Sequence, residues 1–473
     1  MSNIAARLER LPLSSVHYKL FAMGALGYLF DSLNGVIFSF VLPILRTEWS
    51  ISSFDLGVLA SSQAMGYLIG AFFAGTLGDL IGRRPVMMWS LAMFTLLTTA
   101  CALAQSWHVM FWLRIVQGIG AGAEAAIVTP YLLEFCPRHY RGRFAGGLAS
   151  FFGLGNISAA LVGYLIVPLS PWAWRAALIV TSLPILMLAW WRRALPESPR
   201  WLESRNRVAE ADAIMDKMEQ EVVRRHGPLP PLSTIVGVPV PPRIGHGNVL
   251  RNLATLWSRK LARITLMSWV LWFSVSFCFW AFTYWIPSLL VAHGMTVTKS
   301  FTYSLGIYAA NLPGYYAAAY LNDKIGRQAT VASFLILAGL CAVGMAFAGT
   351  ETEIFAAGVL LAFFMNGSYG GVYAYTPEIY PTDLRTTGTG TASAFGRTGA
   401  ILSPILVGYM FPLSGFYGVF GMIAGVLAVG AGAVIVLGVP TRGRSLEQIT
   451  TEELGGPAVA PAGGTGTSRV AGD

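Results

Sequence analysis

Three stretches of this 473-residue chain, 85–105, 355–377 and 399–440, hold no charged side chain at all. The first two approach the ~20 apolar residues that cross a ~30 Å hydrocarbon core. The third is about twice that length and carries Pro412 within it, which suits two spans joined by a tight turn. Soluble domains are about 25% charged, whereas here Asp, Glu, Lys and Arg make up 12% of the residues and hydrophobic ones 55%. The expectation is an all-α membrane protein with spans at 19–45, 55–78, 86–105, 108–135, 143–167, 174–194, 264–291, 300–322, 329–349, 354–380, 386–411 and 415–439.

These twelve spans divide the chain. An N-terminal six-helix bundle is expected over 1–194, a cytoplasmic central segment over 195–263, a C-terminal six-helix bundle over 264–439 and a cytoplasmic tail over 440–473. The charges of 199–226 recur at helical spacing and suggest amphipathic helices. The Pro/Gly-rich stretch 227–247 reads as linker and the Gly/Ala/Pro/Thr-rich end as disordered.

The formal net charge of +9 does not point to nucleic acid, because the basic residues collect in alternate loops. Arg83, Arg84, Arg138, Arg141, Arg143, Lys324, Arg327, Arg385, Arg442 and Arg444 lie in one set, which the positive-inside bias assigns to the cytoplasm with both termini. Cys101, Cys136, Cys278 and Cys341 have no disulfide or zinc spacing. The basic start runs straight into a long span, so no cleavable leader is expected.

The halves repeat. Asp79, Gly82, Arg83, Glu134, Pro137 and Arg141 recur as Asp323, Gly326, Arg327, Glu378, Pro381 and Arg385, always 244 positions later (323 − 79, 385 − 141). Parallel repeats related by an axis along the membrane normal place solute sites near the midplane, between the halves.

Residues 75–84 (GTLGDLIGRR) resemble the loop signature of the major facilitator superfamily, with Leu80 where a basic residue is usual. Residues 114–122 (RIVQGIGAG) are similar to the fourth-helix signature of its proton-coupled members. Residues 195–202 (LPESPRWL) and 440–447 (PTRGRSLE, with Thr441 where a Glu is usual) resemble segments of the sugar-porter, organic-ion and aromatic-acid branches. The metabolite and aromatic acid:proton symporters, with their niacin permease-like members, look nearest. The resemblance implies the major facilitator fold, a bacterial-type inner membrane and transport.

The repeat separates scaffold charges from the others. Asp79, Arg83, Glu134 and Arg141, with Asp323, Arg327, Glu378 and Arg385, are symmetric and close the basic ends of helices; by resemblance they form a gate latch, and otherwise they order loops. Asp31, Arg114, Glu124 and Arg397 are asymmetric, standing opposite Val275, Gly358, Ser368 and Gly153. An intramembrane charge costs at least about 2.5–3.5 kcal/mol, which makes each a functional candidate. Counting from Lys19, Arg385 and Glu134, Asp31, Arg397 and Glu124 lie about 15–18 Å deep, at one level. Arg114 lies further out.

Arg397 offers a forked donor face that fits a carboxylate, and resembles the eleventh-helix arginine of organic-anion carriers; its other reading is a structural pair with Asp31. Asp31 and Glu124 are the proton-carrier candidates. A carboxyl that alternates between apolar surroundings and an arginine can load and release a proton. Residues 30–34 (FDSLN) resemble the first-helix acidic motif of the aromatic-acid symporters, with Asn34 or Tyr28 at the second acid's place. Arg114 fits that group's proton-coupling arginine, or a packing role. Asn34, Phe277, Trp280, Tyr308, Asn311, Asn366, Tyr369 and Tyr373 complete the expected pocket, and aromatic walls suit an aromatic solute.

Gly118, Gly120 and Gly122 lie inside a span, where small residues let helices approach. The sequence has no phosphate-binding GxxxxGK[ST] loop, so no ATP drive and no cofactor are expected. No metal cluster or enzyme constellation appears. The expected activity is import of a small organic anion, an aromatic or heterocyclic monocarboxylate, with protons, by a monomer in the bilayer that binds no nucleic acid. A sugar or polyol:proton symporter, an efflux pump and a solute sensor of the same fold stay open.

Overall fold

The computed structural model describes residues 4–232, 249–259, 261–381 and 384–441. Most of the expected linker, the tail and its motif from Arg442 onward lie outside the described residues. Every regular element among the described residues is a helix. A short α1 (Ile4–Glu9) precedes α2 (Ser15–Glu48), α3 (Ser53–Ile81), α4 (Arg83–Ala102), α5 (Trp107–Phe135), α6 (Arg138–Ile166), α7 (Ala173–Thr181) and α8 (Ile185–Ala194). The central segment holds α9 (Pro199–Ser204), α10 (Val208–His226) and α11 (Val249–Leu256). Then come α12 (Ala262–Ala292), α13 (Val297–Ala309), α14 (Asn311–Lys324), α15 (Arg327–Phe347), α16 (Glu351–Ile379) and α17 (Arg385–Leu437).

Ten helical stretches among the described residues are long and apolar enough to cross a membrane. Large apolar side chains such as Phe72, Trp89, Leu186, Phe347 and Val436 stay exposed on them. A surface of that kind is covered by lipid or by protein, not by water.

Two sequence-derived spans are interrupted. The stretch 174–194 breaks into α7 and α8 beside Pro184, and 300–322 into α13 and α14 at Ala310, three residues before Pro313. Proline removes an N–H and crowds the preceding turn. The last two expected spans are one 53-residue element that departs from helical geometry at Gly415 (φ 60°, ψ −153°). That element doubles back: Gly388 packs on Tyr380, and Val439, just past its other end, bonds to Tyr375. Pro412 and Gly415, one without a donor and one tolerant of positive φ, supply the reversal.

Within the first half α3 packs along α5 and α2 along α6; within the second, α12 packs along α17, α14 on α16, and α15 on both α16 and α17. Glycines let α3 and α5 touch backbone to backbone. A Cβ at Gly66 or Gly70 would strike the carbonyls of Ile115 and Ile119, and one at Gly118 or Gly122 those of Gln63 and Tyr67.

The repeat has a backbone basis. Gly82 and Gly326 take φ of 108° and 95° at the matched junctions α3–α4 and α14–α15, a conformation open to glycine and costly for other residues. Beside each, one arginine joins two acids. Arg83 reaches Asp79 and Glu134 (3.4 Å), and Arg327 reaches Asp323 (3.3 Å) and Glu378 (3.1 Å). Arg141 pairs with Glu9 at 3.6 Å and donates to the Cys136 carbonyl. Each of these pairs stays on its own side of the central segment.

The halves meet elsewhere. At the end opposite the basic loops, Gly57 packs on the Pro404 carbonyl, Gly408 on that of Ser53, and the Phe40 ring on Phe301 and Tyr308. Deeper in the molecule Gly153 faces Leu312 and Tyr315. At the basic end α1 and α10 dock together, with Arg7 bonding Asp212 and Glu219 at 2.9 Å each, and Arg10 bonding Glu219 at 2.7 Å. A cavity of about 300 Å³ lined by Glu9, Arg10, Tyr140 and Pro228 opens beside them, far from the midplane charges.

Candidate functional site

Arg397 is held between two close backbone contacts. A Cβ at Gly396 would stand 3.0 Å from the Trp272 carbonyl, and one at Gly399 2.7 Å from that of Phe273. These glycines press α17 onto α12 and leave the arginine between them half-buried. Its guanidinium Cζ lies 4.3 Å from the centre of the Tyr67 ring on α3, with Nη2 3.5 Å from the Tyr67 hydroxyl. Such a stack contributes about 0.5–2 kcal/mol, more as water is excluded. It joins α17 to α3 across the two halves.

Asp31 on α2 lies within electrostatic reach of Arg397 but forms no direct ion pair with it among the described residues. Tyr28, Tyr67, Tyr369 and Tyr373 stand in the same field. The structure thus brings together Asp31, Arg397, Tyr369 and Tyr373 of the expected set. Tyr369 and Tyr373 stack at 5.9 Å, and Trp272 meets the Tyr373 ring at 4.9 Å. Tyr373 is exposed, which leaves the cluster reachable from the basic end of α16.

Glu124 is buried behind Asp31, within its field. Its Oε1 has no hydrogen-bond partner among the described residues. A Cβ at Gly27 would come within 2.7 Å of that oxygen, so the glycine makes room for the carboxyl.

Other expected pocket residues lie in closed surroundings. Asn34 donates to Thr98 and Thr181 at 3.2 and 3.1 Å and accepts from Gln117 at 2.7 Å, in a buried network of the first half. Asn366 donates to Asn311 at 2.7 Å, both buried beside the α13–α14 break. Tyr308 donates to the Thr283 carbonyl at 2.7 Å and packs in the seam with Phe40. Phe277 stacks on Phe273 at 5.7 Å, and Trp280 on Tyr284 at 4.9 Å. Arg114 is fully buried near the far end, donating to Gln63 at 2.6 Å.

Tyr67 is missing from the sequence-derived pocket. Its depth was available, since it stands twelve residues (79 − 67) from Asp79, as Arg397 does from Arg385.

Residues 18–452 match the sugar (and other) transporter family. The chain belongs to this family, within the major facilitator superfamily. It is 37% identical over 451 residues to the niacin transporter NiaP of Acinetobacter baylyi, covering 94% of this chain and 99% of that one. It is 27% identical over 454 residues to the inner membrane metabolite transport protein YdjE of Escherichia coli, covering 94% and 98%. The fold is similar to that of the E. coli xylose transporter XylE in a partially occluded inward open conformation, with a TM-score of 0.70 at 17% identity, over 91% of this chain and 100% of that one. The protein is a multi-pass inner-membrane transporter, not an enzyme.

Proposed function

We propose that this protein imports an aromatic or heterocyclic monocarboxylate together with protons, by alternating access between two six-helix halves, 1–194 and 264–439. The observation that carries the reading is the Arg397 fork at mid-depth, backed by Tyr67 from the opposite half and within electrostatic reach of Asp31, Tyr369 and Tyr373. A carboxylate matches the fork, and the tyrosines offer flat faces to a ring. The name of the 37%-identical relative, a niacin transporter, supports the same class of cargo.

Twelve spans follow if α7 with α8, and α13 with α14, each cross once and α17 crosses twice. The positive-inside bias then puts the basic end and both termini in the cytoplasm. Among the described residues, contacts between the halves gather at the opposite end, which supports a state open toward the cytoplasm. The symmetric Asp–Arg–Glu clusters hold each half together as it rocks, and re-pair across the halves when the cytoplasmic side closes.

Asp31 is the proton carrier, with Glu124 behind it as the relay or the substitute. Carrying the proton past Arg397 links loading to the anion. One charge crossing 100 mV is worth about 2.3 kcal/mol, so one anion needs more than one proton for net electrical drive. A pH gradient acts without that, and no cofactor is required. A monomer contains the whole site.

The test is uptake into proteoliposomes, with an inward pH gradient, of labelled nicotinate, benzoate and xylose. Accumulation of the carboxylates and not of xylose is expected. Accumulation of xylose alone would favour the sugar:proton symport that the family's name and the segment 195–202 also fit.

A further inference from the structure

A groove of about 560 Å³ opens at the basic end of the first half. Tyr18, Lys19 and Ala22 line it at the start of α2, Trp190 near the end of α8 and Arg225 near the end of α10. The α10 wall is anchored, since Met215, Met218 and Val222 are buried in the core of this half. None of the symmetric charges Asp79, Arg83, Glu134 and Arg141 lines the groove. At the repeat register Ala262 and Val434 stand where Tyr18 and Trp190 do (18 + 244, 190 + 244), so the aromatic pair is not part of the shared scaffold.

The groove changes character along its length. Leu186, one turn before Trp190 on α8, is exposed, as is Ile185 beside it; side chains of that kind need an apolar cover. Tyr18 and Trp190, 58% and 41% exposed, follow at the ends of their spans, the level where such rings sit between acyl chains and headgroups. Lys19 and Arg225 are the only charged residues of the lining. Lys19 Nζ bonds Glu221 Oε1 at 3.1 Å, and the same oxygen accepts from Ser15 at 2.8 Å. Arg225 stands in the field of Glu221 but forms no ion pair among the described residues. Two cations thus share one acid, which itself does not line the groove.

We propose that this groove holds one anionic phospholipid, with its phosphate between Lys19 and Arg225, its glycerol against Tyr18 and Trp190, and an acyl chain along Leu186. A soluble anion would use the basic pair and leave the apolar wall bare. A zwitterionic lipid would bring its own cation to the two already there. The lipid bridges α2 and α10 and so fastens the central segment to the bilayer beside the first half. The inference is independent of the cargo. The proposed topology decides only the leaflet, the cytoplasmic one, whose anionic lipids attract basic residues at the membrane surface.

The experiment uses the full-length protein in nanodiscs of equal parts dioleoyl-phosphatidylglycerol and dioleoyl-phosphatidylcholine, with the lipids retained after release read by native mass spectrometry. The parent should retain phosphatidylglycerol in preference. Lys19→Gln with Arg225→Gln should lower that preference by about tenfold. Lys217→Gln with Arg259→Gln removes two exposed cations that do not line the groove and should leave it within about twofold. Glu221→Gln frees Lys19 and should raise the preference, a gain that damage to the fold would not produce. Equal retention of both lipids by the parent, an equal loss in the two double variants, or no gain in Glu221→Gln would each overturn the proposal. Displacement of the retained lipid by glycerol 1-phosphate would assign the basic pair to a free phosphate and overturn the lipid as occupant.

Discussion

Arg397 touches the opposite half through one aromatic face, and that contact makes Tyr67 a residue with a specific job. Removing the ring should release the guanidinium. A cation–π contact of about 1–2 kcal/mol corresponds to roughly a tenfold change in affinity, so Tyr67→Leu should weaken nicotinate binding by about that factor in calorimetry. Tyr67→Phe keeps the ring and should stay within about threefold of the parent. An equal loss in both variants would move the effect to the hydroxyl. For Asp31→Asn, counterflow exchange should survive while accumulation driven by a pH gradient fails; accumulation that persists would make Glu124 the carrier. Asp31, Glu124 and Arg397 were legible in sequence because an ion inside an apolar span is conspicuous and lacks a symmetric counterpart. Tyr67 was not, because a tyrosine can be buried without a charge to flag it. Asn34 looked available for the same reason in reverse: its spacing gives its depth but not the Thr98, Thr181 and Gln117 groups that occupy it.

The helices follow similar logic. The matched junctions at Gly82 and Gly326 were visible as a repeat, and their positive φ explains why glycine stands at both. Gly82→Ala should be damaging, since a Cβ there would also strike the Glu197 carboxylate, which accepts from the Arg83 and Arg84 backbone N–H groups. Strain of about 1–3 kcal/mol should lower the melting midpoint in detergent, and an unchanged midpoint would count against the constraint. The breaks at α7–α8 and α13–α14 were not legible. Pro43, Pro130, Pro287 and Pro377 sit inside unbroken helices, so a proline alone does not foretell an interruption; its packing does. The docking of α1 on α10 depends on acidity in a defined direction. Partial burial of Glu219 favours its neutral form, but hydrogen bonds from Arg7 and Arg10 outweigh it and hold the carboxyl below its ordinary 4.5. A depressed carboxyl contributes stability that is complete above the unfolded value and lost as pH falls through the folded one. Hydrogen exchange over residues 4–10 should therefore be slow at pH 7 and speed up only below about pH 4. Acceleration between pH 7 and 6 would contradict that assignment.

The molecule as a whole divides along its 244-residue register. What recurs lies at the basic ends and stays within each half. What does not recur includes Arg397, which meets Tyr67 of the opposite half in the middle of the molecule. On the proposed reading, alternating access closes one end as the other opens, around an anion site at Arg397. The measurement closest to that claim is binding of nicotinate and of its neutral amide, nicotinamide, by the parent and by Arg397→Lys, in nanodiscs with folding checked by thermal melting. The parent should prefer the carboxylate strongly, and the lysine variant, which keeps the charge and loses the fork, should lose most of that preference. A lysine variant that binds nicotinate as tightly and as selectively as the parent would contradict the account.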